Sequence, residues 1–151
     1  MTITLSDAEI PARNMFPSEG LRCWLCLCWV MVWYPSVDDI ICANEIALDL
    51  TSDKHPSRLR RSRDSIQVLI DRVISEEAKG LNYQAALLLW GLADLHAFDG
   101  GNHRTAYVSA KTFLFKNGKR LRAGRWETAY PFIKNVESRS IEEIWRWMEH
   151  G

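Results

Sequence analysis

Two stretches of the chain repeat apolar residues at the spacing of one helix face. Ser36, followed three positions later by Asp39, is typical of a helix start, and the residues after it predict a helix over 37–50. The next pattern is the most regular, with spacings of three and four among Ile66, Leu69, Ile70, Val73 and Ile74. We expect Asp64 or Ser65 to cap this second helix, and Lys79 with Gly80 to end it.

The segment 83–95 is apolar on nearly every side, which is typical of the buried central helix of a bundle. Asn102 is expected to cap the next helix, and Asn117 with Gly118 to terminate it. A capping box formed by Ser140 and Glu143 predicts the last helix. The polar, basic residues 51–62 are expected to form a loop.

Together these elements predict an all-α protein, folded as a compact helical bundle without an internal repeat. No stretch alternates convincingly as strands do, so a short β-hairpin flap is the one β element left open. A chain of 151 residues is long enough for one domain. Because the first well-punctuated helix follows Met31, we expect residues 31–151 to form the helical domain and residues 1–30 an N-terminal appendage.

Composition narrows the classes of partner. The formal net charge is +0 at pH 7, with 47% hydrophobic and 25% charged residues, as in an ordinary soluble globular protein. Bulk electrostatics therefore gives no reason to expect a nucleic acid or an acidic membrane as partner. The uncharged run 23–34 is 12 residues long, whereas a membrane-spanning helix needs about 20. We expect no nucleic-acid partner and no membrane partner.

Cysteines and basic residues are unevenly distributed. The four cysteines, Cys23, Cys26, Cys28 and Cys42, have no nearby histidine and a spacing that is poor for zinc. Since no clear secretory signal precedes them, we expect free thiols in the cytoplasm. Two basic clusters are each open to two interpretations, a solvated surface or an edge that attracts a phosphorylated ligand. They comprise Lys54, Arg58, Arg60, Arg61 and Arg63, and then Lys116, Lys119, Arg120, Arg122 and Arg125.

The segment HAFDGGNHR, residues 96–104, combines features suited to phosphate chemistry. Its two glycines allow backbone N–H groups to approach a ligand, and the following helix start offers unpaired donors. Arg104 adds a planar cation for phosphate oxygens, and the imidazole of His96 can accept a proton near neutral pH. A histidine after an apolar helix and a Gly-Gly turn are each common structural features. Their coincidence within nine residues favours a site.

This segment, extended to HAFDGGNHRTA, resembles the signature of the Fic/Doc family, H-P-F-x-(D/E)-G-N-(G/K)-R. Its ending, NxRTA, resembles the death-on-curing (Doc) branch in particular. His96, Phe98, Asn102 and Arg104 match in order, and Gly101 matches the Fic form. The resemblance extends over roughly residues 35–150 and implies a helical bundle of the Fic/Doc type.

A role for each matched residue follows from the resemblance. His96 would be the catalytic base that deprotonates a hydroxyl of a target protein, and Phe98 the anchor that seats the loop in the core. ATP and Mg²⁺ are the implied cofactors. The residues implied to bind the nucleotide phosphates are Gly100, Gly101, Asn102, His103 and Arg104.

Three positions depart from the family pattern. The metal-holding acid of the family should stand at Gly100, whereas this chain has its acid one position earlier, at Asp99, the candidate Mg²⁺ ligand. His103 stands where the family has Gly or Lys. Tyr107 stands where the AMP-transferring members have a second arginine.

Two chemistries occur in the family. Most Fic enzymes transfer AMP from ATP to a protein hydroxyl, whereas Doc-type proteins transfer the γ-phosphate, with a translation elongation factor as the best-known class of target. Without a second arginine, the resemblance favours a Doc-like toxin that phosphorylates a target protein. An AMP transferase, a degenerate member that binds nucleotide or protein without catalysis, and an unrelated helical interaction module remain open. The chain contains no self-inhibitory (S/T)-x-x-x-E-(G/N) string, so a separate antitoxin partner is expected.

Overall fold

The structure, a computed structural model, describes residues 31–50 and 56–150. The expected all-α bundle is confirmed over these residues, which carry six α-helices and two short 3₁₀ turns. The appendage at 1–30, Cys23, Cys26, Cys28 and Lys54 lie outside the described residues. Apart from Met31, all the described residues belong to one compact unit, Val32–Gly151.

The six α-helices are separated by loops and two 3₁₀ turns. In chain order they are α1 Val37–Asp49, α2 Arg63–Ser75, α3 Leu81–Leu95, α4 Asn102–Lys116, α5 Trp126–Ile133 and α6 Ile141–His150. The 3₁₀ turns are Glu77–Lys79, between α2 and α3, and Val136–Ser138, between α5 and α6.

Helix α3 is the centre of the bundle and packs against α2, α4 and α6. Its leucines, Leu87, Leu88 and Leu89, are at most 1% exposed, as the apolar run on every side of this segment predicts. At Gly91 a β-carbon would collide with the side chain of Leu69, so this glycine lets α2 approach α3 closely. The loop after α3 is therefore attached to the most deeply buried element of the domain.

Predicted helix ends agree with the structure where a capping box marks them. Ser36 accepts a hydrogen bond from the N–H of Asp39, whose carboxylate accepts one in return from Ser36. Ser140 and Glu143 form the same reciprocal pair at the start of α6.

Some of the other predicted ends were wrong. The cap of α2 is Ser62, not Asp64 or Ser65, because its hydroxyl accepts from the N–H of Ser65. That helix ends at Ser75, before a separate 3₁₀ turn that reaches Lys79. Helix α3 begins at Leu81, two residues before the predicted start.

Helix α5 had no counterpart in the sequence prediction. It is eight residues long and contains Pro131, a residue that normally breaks a helix interior. Its two buried side chains, Ala129 and Ile133, are too few to produce a periodic signal, and contacts with the rest of the bundle stabilise it. The sequence allowed a short β-hairpin. The described residues contain no hairpin, and their β structure is one antiparallel bridge between Leu59 and Phe98.

None of the helices in the described part of the chain is long and apolar enough to cross a membrane.

Candidate functional site

The candidate site lies in the loop that joins the central helix α3 to α4. His96 ends α3 with φ 46° and ψ 50°, in the left-handed region. Among the described residues it is the only non-glycine with a positive φ. Such a conformation costs an L-residue about 1–2 kcal/mol, so the surrounding structure must impose it.

The imidazole of His96 is exposed, although its backbone continues directly from the buried helix. Its Nδ1 lies 3.1 Å from the carbonyl oxygen of Asp94. If Nδ1 carries the hydrogen and donates it to this oxygen, Nε2 keeps a free lone pair that can accept a proton. The ring of His103 stands edge-on to it, with the ring centroids 6.1 Å apart.

The N-terminus of α4 faces the same loop. Gly101 immediately precedes the helix with φ 71°, and no described side chain caps the first turn. The N–H groups of this turn precede the first intrahelical hydrogen bond, from Thr105 N–H to the oxygen of Gly101 at 2.8 Å. They are free to bind an anion, assisted by the helix dipole.

Asn102 is the first residue of α4 and not its cap, in contrast to the sequence prediction. Its side-chain oxygen accepts from the N–H of Phe98 at 2.9 Å, and its side-chain nitrogen donates to the oxygen of Phe98 at 2.9 Å. The amide thus closes the loop on itself instead of pointing at a ligand. Phe98 is 2% exposed and holds the middle of the loop in the core.

Arg104 and His103 lie on the first turn of α4 with different partners. The guanidinium carbon of Arg104 is 4.6 Å from the centroid of the Trp126 ring, a cation–π contact made with the helix missed by the sequence prediction. It forms no ion pair with a described carboxylate. His103 Nε2 is 2.6 Å from Glu137 Oε1, a contact that is not aligned as a hydrogen bond and becomes an ion pair when the ring is protonated.

Asp99 points toward residues 56–62, the basic segment before α2. Its carboxylate lies 3.5 Å from Arg60 Nε, and both side chains are about half exposed or more, at 49% and 64%. No group of three or more His, Cys, Asp or Glu side chains in residues 31–50 and 56–150 could hold a metal ion. One exposed carboxylate already paired with an arginine is a poor fit to Mg²⁺, so no step below depends on the metal.

The same basic segment is fixed to the loop through its backbone. The N–H of Arg60 donates to Ala97 O at 2.8 Å, and the N–H of Asp99 donates to Arg58 O at 3.0 Å. Arg60, Arg61 and His96 together line a cavity of about 330 Å³. The sequence left this basic cluster open as a solvated surface or as an edge that attracts a phosphorylated ligand. The cavity beside His96 favours the second interpretation for Arg60 and Arg61.

Asn44 is a site residue that the sequence prediction missed. This asparagine of α1 is fully buried, and its nitrogen donates to Gly100 O at 2.9 Å and to Thr105 Oγ1 at 3.0 Å. Its oxygen accepts from Ser57 Oγ at 2.6 Å. It therefore links α1, the basic segment, the loop and α4. A polar residue in the middle of an apolar helix pattern was the only available signal.

Comparisons with protein-family models, with curated proteins and with solved structures find no match to this chain. The resemblance to the Fic/Doc family therefore rests on the residues of the loop.

Of the residues predicted from the sequence, the structure brings His96 close to His103 at the start of α4, whereas the guanidinium of Arg104 lies over the Trp126 ring. The side chains of Asn102 and Asp99 have other partners within the chain.

Proposed function

We propose that this protein is a Doc-like transferase, which moves the γ-phosphate of ATP to a hydroxyl of a target protein. The observation that carries the proposal is the strained backbone of His96. The backbone of His96 is held in a left-handed conformation, and its exposed imidazole lies beside the uncapped N-terminus of α4. Strain of this kind persists where the surrounding structure enforces it, and it is concentrated at functional sites.

His96, the start of α4 and Arg104 each have a defined part in this reaction. Nε2 of His96 removes the proton of the target hydroxyl, and the hydroxyl oxygen attacks the γ-phosphorus of ATP. The bond between that phosphorus and the oxygen of the leaving ADP breaks. The N–H groups at the start of α4 bind phosphate oxygens, and Arg104 neutralises their charge. The proton on His96 then passes to water. ATP supplies the phosphoryl group, and positioning with charge neutralisation supplies the rate.

Phosphate transfer is preferred over AMP transfer because of Tyr107. The phenol of this residue is 4% exposed and donates a hydrogen bond to Ala123 O at 2.9 Å. Burial raises the pKa of Tyr107, so the group stays neutral. It offers no second cation to a nucleotide, and AMP transfer remains the alternative chemistry.

A second candidate function is binding without catalysis. The Asp99 carboxylate faces Arg60, and the position expected to carry the acid is Gly100. Under this alternative the loop would bind a nucleotide or a protein, and His96 would be dispensable for that binding.

For the transferase, a translation factor as target would place the reaction in the cytoplasm, and a separate antitoxin would restrain it.

Intact-mass measurement of an elongation factor, after incubation with this protein, ATP and Mg²⁺, tests the proposal. A gain of about 80 Da would mark phosphate transfer and about 329 Da would mark AMP transfer, set by the masses of the groups. His96→Ala should abolish the gain. His150→Ala, which removes an exposed histidine of α6, is the matched control and should leave it unchanged.

A gain that persists in His96→Ala would refute the assignment of the base. Where the wild-type protein gives no gain, calorimetry with ATP decides the second candidate: saturable ATP binding without transfer supports the non-catalytic function, and the absence of ATP binding contradicts nucleotide binding at the loop.

A further inference from the structure

The cavity that His96 shares with Arg60 and Arg61 offers a place for a second ligand beside the base. Its volume is about 330 Å³, and no residue of α4 lines it. The cavity is therefore not part of the helix start that is proposed to hold the phosphates of ATP. Ligand pockets typically measure about 300–1,000 Å³, so a side chain of another protein can enter this one.

The two arginines are held at the cavity by the residue next to the base. The N–H groups of Arg60 and Arg61 both donate to Ala97 O, at 2.8 and 3.3 Å. The chain bends at these two residues, and both side chains line the same cavity, whereas neighbouring side chains of a regular strand point to opposite faces. The basic segment 56–62 thus presents two consecutive cations to one space beside His96.

The ion pairs around the cavity leave one cation without a partner. Arg60 lies 3.5 Å from the carboxylate of Asp99, and Arg63, which does not line the cavity, lies 2.6 Å from Asp38. Arg61 is exposed and forms no ion pair with a described carboxylate. One carboxylate balances the charge of Arg61, whereas a phosphate monoester carries about 1.5 to 2 negative charges and a triphosphate more. The local charge therefore narrows the anion to a carboxylate.

The geometry of phosphoryl transfer indicates which reactant brings this carboxylate. The attacking and leaving oxygens lie roughly in line across the phosphorus, so the acceptor and ADP are on opposite sides of it. The imidazole of His96 stands edge-on to His103 of α4, where the nucleotide is proposed to bind. It also faces the cavity with Arg60 and Arg61, which α4 does not line. The acceptor, whose hydroxyl must reach His96, therefore has the two arginines as its neighbours.

We infer that this protein prefers acceptor segments that carry an acidic side chain close to the modified hydroxyl, and that Arg61 selects it. The carboxylate pairs with the guanidinium of Arg61 while the hydroxyl lies at Nε2 of His96. The status of this ligand as the acceptor rests on the proposed function, whereas the binding of an acidic segment beside His96 does not. Arg61 binds the acceptor and takes no part in proton or phosphate transfer.

Three synthetic peptides that differ in one side chain test the inference on the full chain. They are acetyl-Gly-Gly-Thr-Xaa-Gly-Gly-amide with glutamate, glutamine or lysine at the variable position. Their dissociation constants are measured without ATP from the ¹H–¹⁵N shift of Ala97. Because an exposed ion pair is weak, the glutamate peptide should bind about threefold more tightly than the glutamine peptide. This preference should shrink at high salt, which screens exposed charges.

Reversal of one charge gives the sharper comparison. Arg61→Glu should invert the order, so that the lysine peptide binds most tightly. Arg146→Glu makes the same charge change at an exposed arginine of α6 and should keep the wild-type order. If Arg61→Glu fails to fold, Arg61→Gln should bring the two affinities, for glutamate and glutamine peptides, to a ratio of about one. The inference is overturned by a wild-type preference in the Arg61 variants, by equal binding of the three peptides, or by the absence of saturable shifts.

Competition with ATP separates this inference from the proposed function. Mg²⁺-ATP should not displace the glutamate peptide, because the nucleotide and the acceptor have different places. Displacement that disappears in Arg61→Gln would show that this arginine binds the nucleotide, and would overturn the inference. An acid preference in a protein that transfers no phosphate would support the binding site and contradict the proposed function alone.

Discussion

The strained backbone of His96 gives the most direct test of the site, because two substitutions that remove the same imidazole should differ in stability and agree in loss of activity. His96→Gly and His96→Ala both remove the imidazole and its 3.1 Å contact with Asp94 O. They differ in the backbone, because glycine adopts φ 46° freely and alanine does not.

The difference between the two variants measures the strain. Relief of the left-handed conformation is worth about 1–2 kcal/mol, and the greater entropy of unfolded glycine returns about 0.5–1 kcal/mol of it. We therefore expect His96→Gly to be more stable than His96→Ala by about 1 kcal/mol, or roughly 4 °C in Tm. Both should lose transfer activity by about 100-fold or more, since the base is absent from each.

Urea unfolding followed by far-UV circular dichroism, with the transfer assay on the same samples, checks both parts. Equal stability of the two variants would refute the strain at this position. Full transfer activity in His96→Gly, which has no imidazole, would refute the role of His96 as the base.

The remaining predictions concern the supports of the loop and the first helix cap. Asn44→Ala should lower the free energy of unfolding by about 2–4 kcal/mol in urea titrations, because it leaves buried groups unpaired; a loss below about 0.5 kcal/mol would contradict this role. Gly100→Asp should fold, since a β-carbon there meets Leu48 at an ordinary 3.8 Å, and the transfer assay should show a stronger Mg²⁺ dependence. An unchanged metal response would argue against a weakening effect of the shifted acid at Asp99. Ser36→Ala should cost about 1 kcal/mol in thermal unfolding. Hydrogen bonds from Ser36 lower the pKa of Asp39 from its ordinary value of 3.8. The carboxylate therefore stabilises the fold above pH 3.8, and this stabilisation is lost as the pH falls through the lowered pKa. In Ser36→Ala this pH-dependent stabilisation should be smaller.

Much of the fold was predictable from local signals. The apolar run of 83–95 was enough to identify the buried central helix, because a helix that is apolar on all sides has no other stable location in a water-soluble bundle. Ser36 and Ser140 fixed the starts of α1 and α6 through contacts with residues only three positions away. Interactions of that range are encoded by spacing alone.

Helix α5 and the cap of α4 were not predictable in the same way. Pro131 opposes a helix locally, and the short segment around it is helical because Ala129 and Ile133 are buried by other parts of the chain. Asn102 has the residue type of a cap, yet its amide pairs with the backbone of Phe98. Which of two hydrogen-bond partners an asparagine takes depends on the path of the loop.

For the site, the sequence by itself determined the order of chemical groups in 96–104, since nine consecutive residues carry the histidine, the glycines and the arginine. The tertiary structure alone decided that Arg60 and Arg61 join His96 at one cavity, that Arg104 stacks on Trp126, and that Asn44 holds the loop from 56 residues away. The physical reason is the range of the interactions. Helix propensity and capping act within about one turn, whereas the partner of a buried polar group or an exposed cation is chosen only when distant segments pack together.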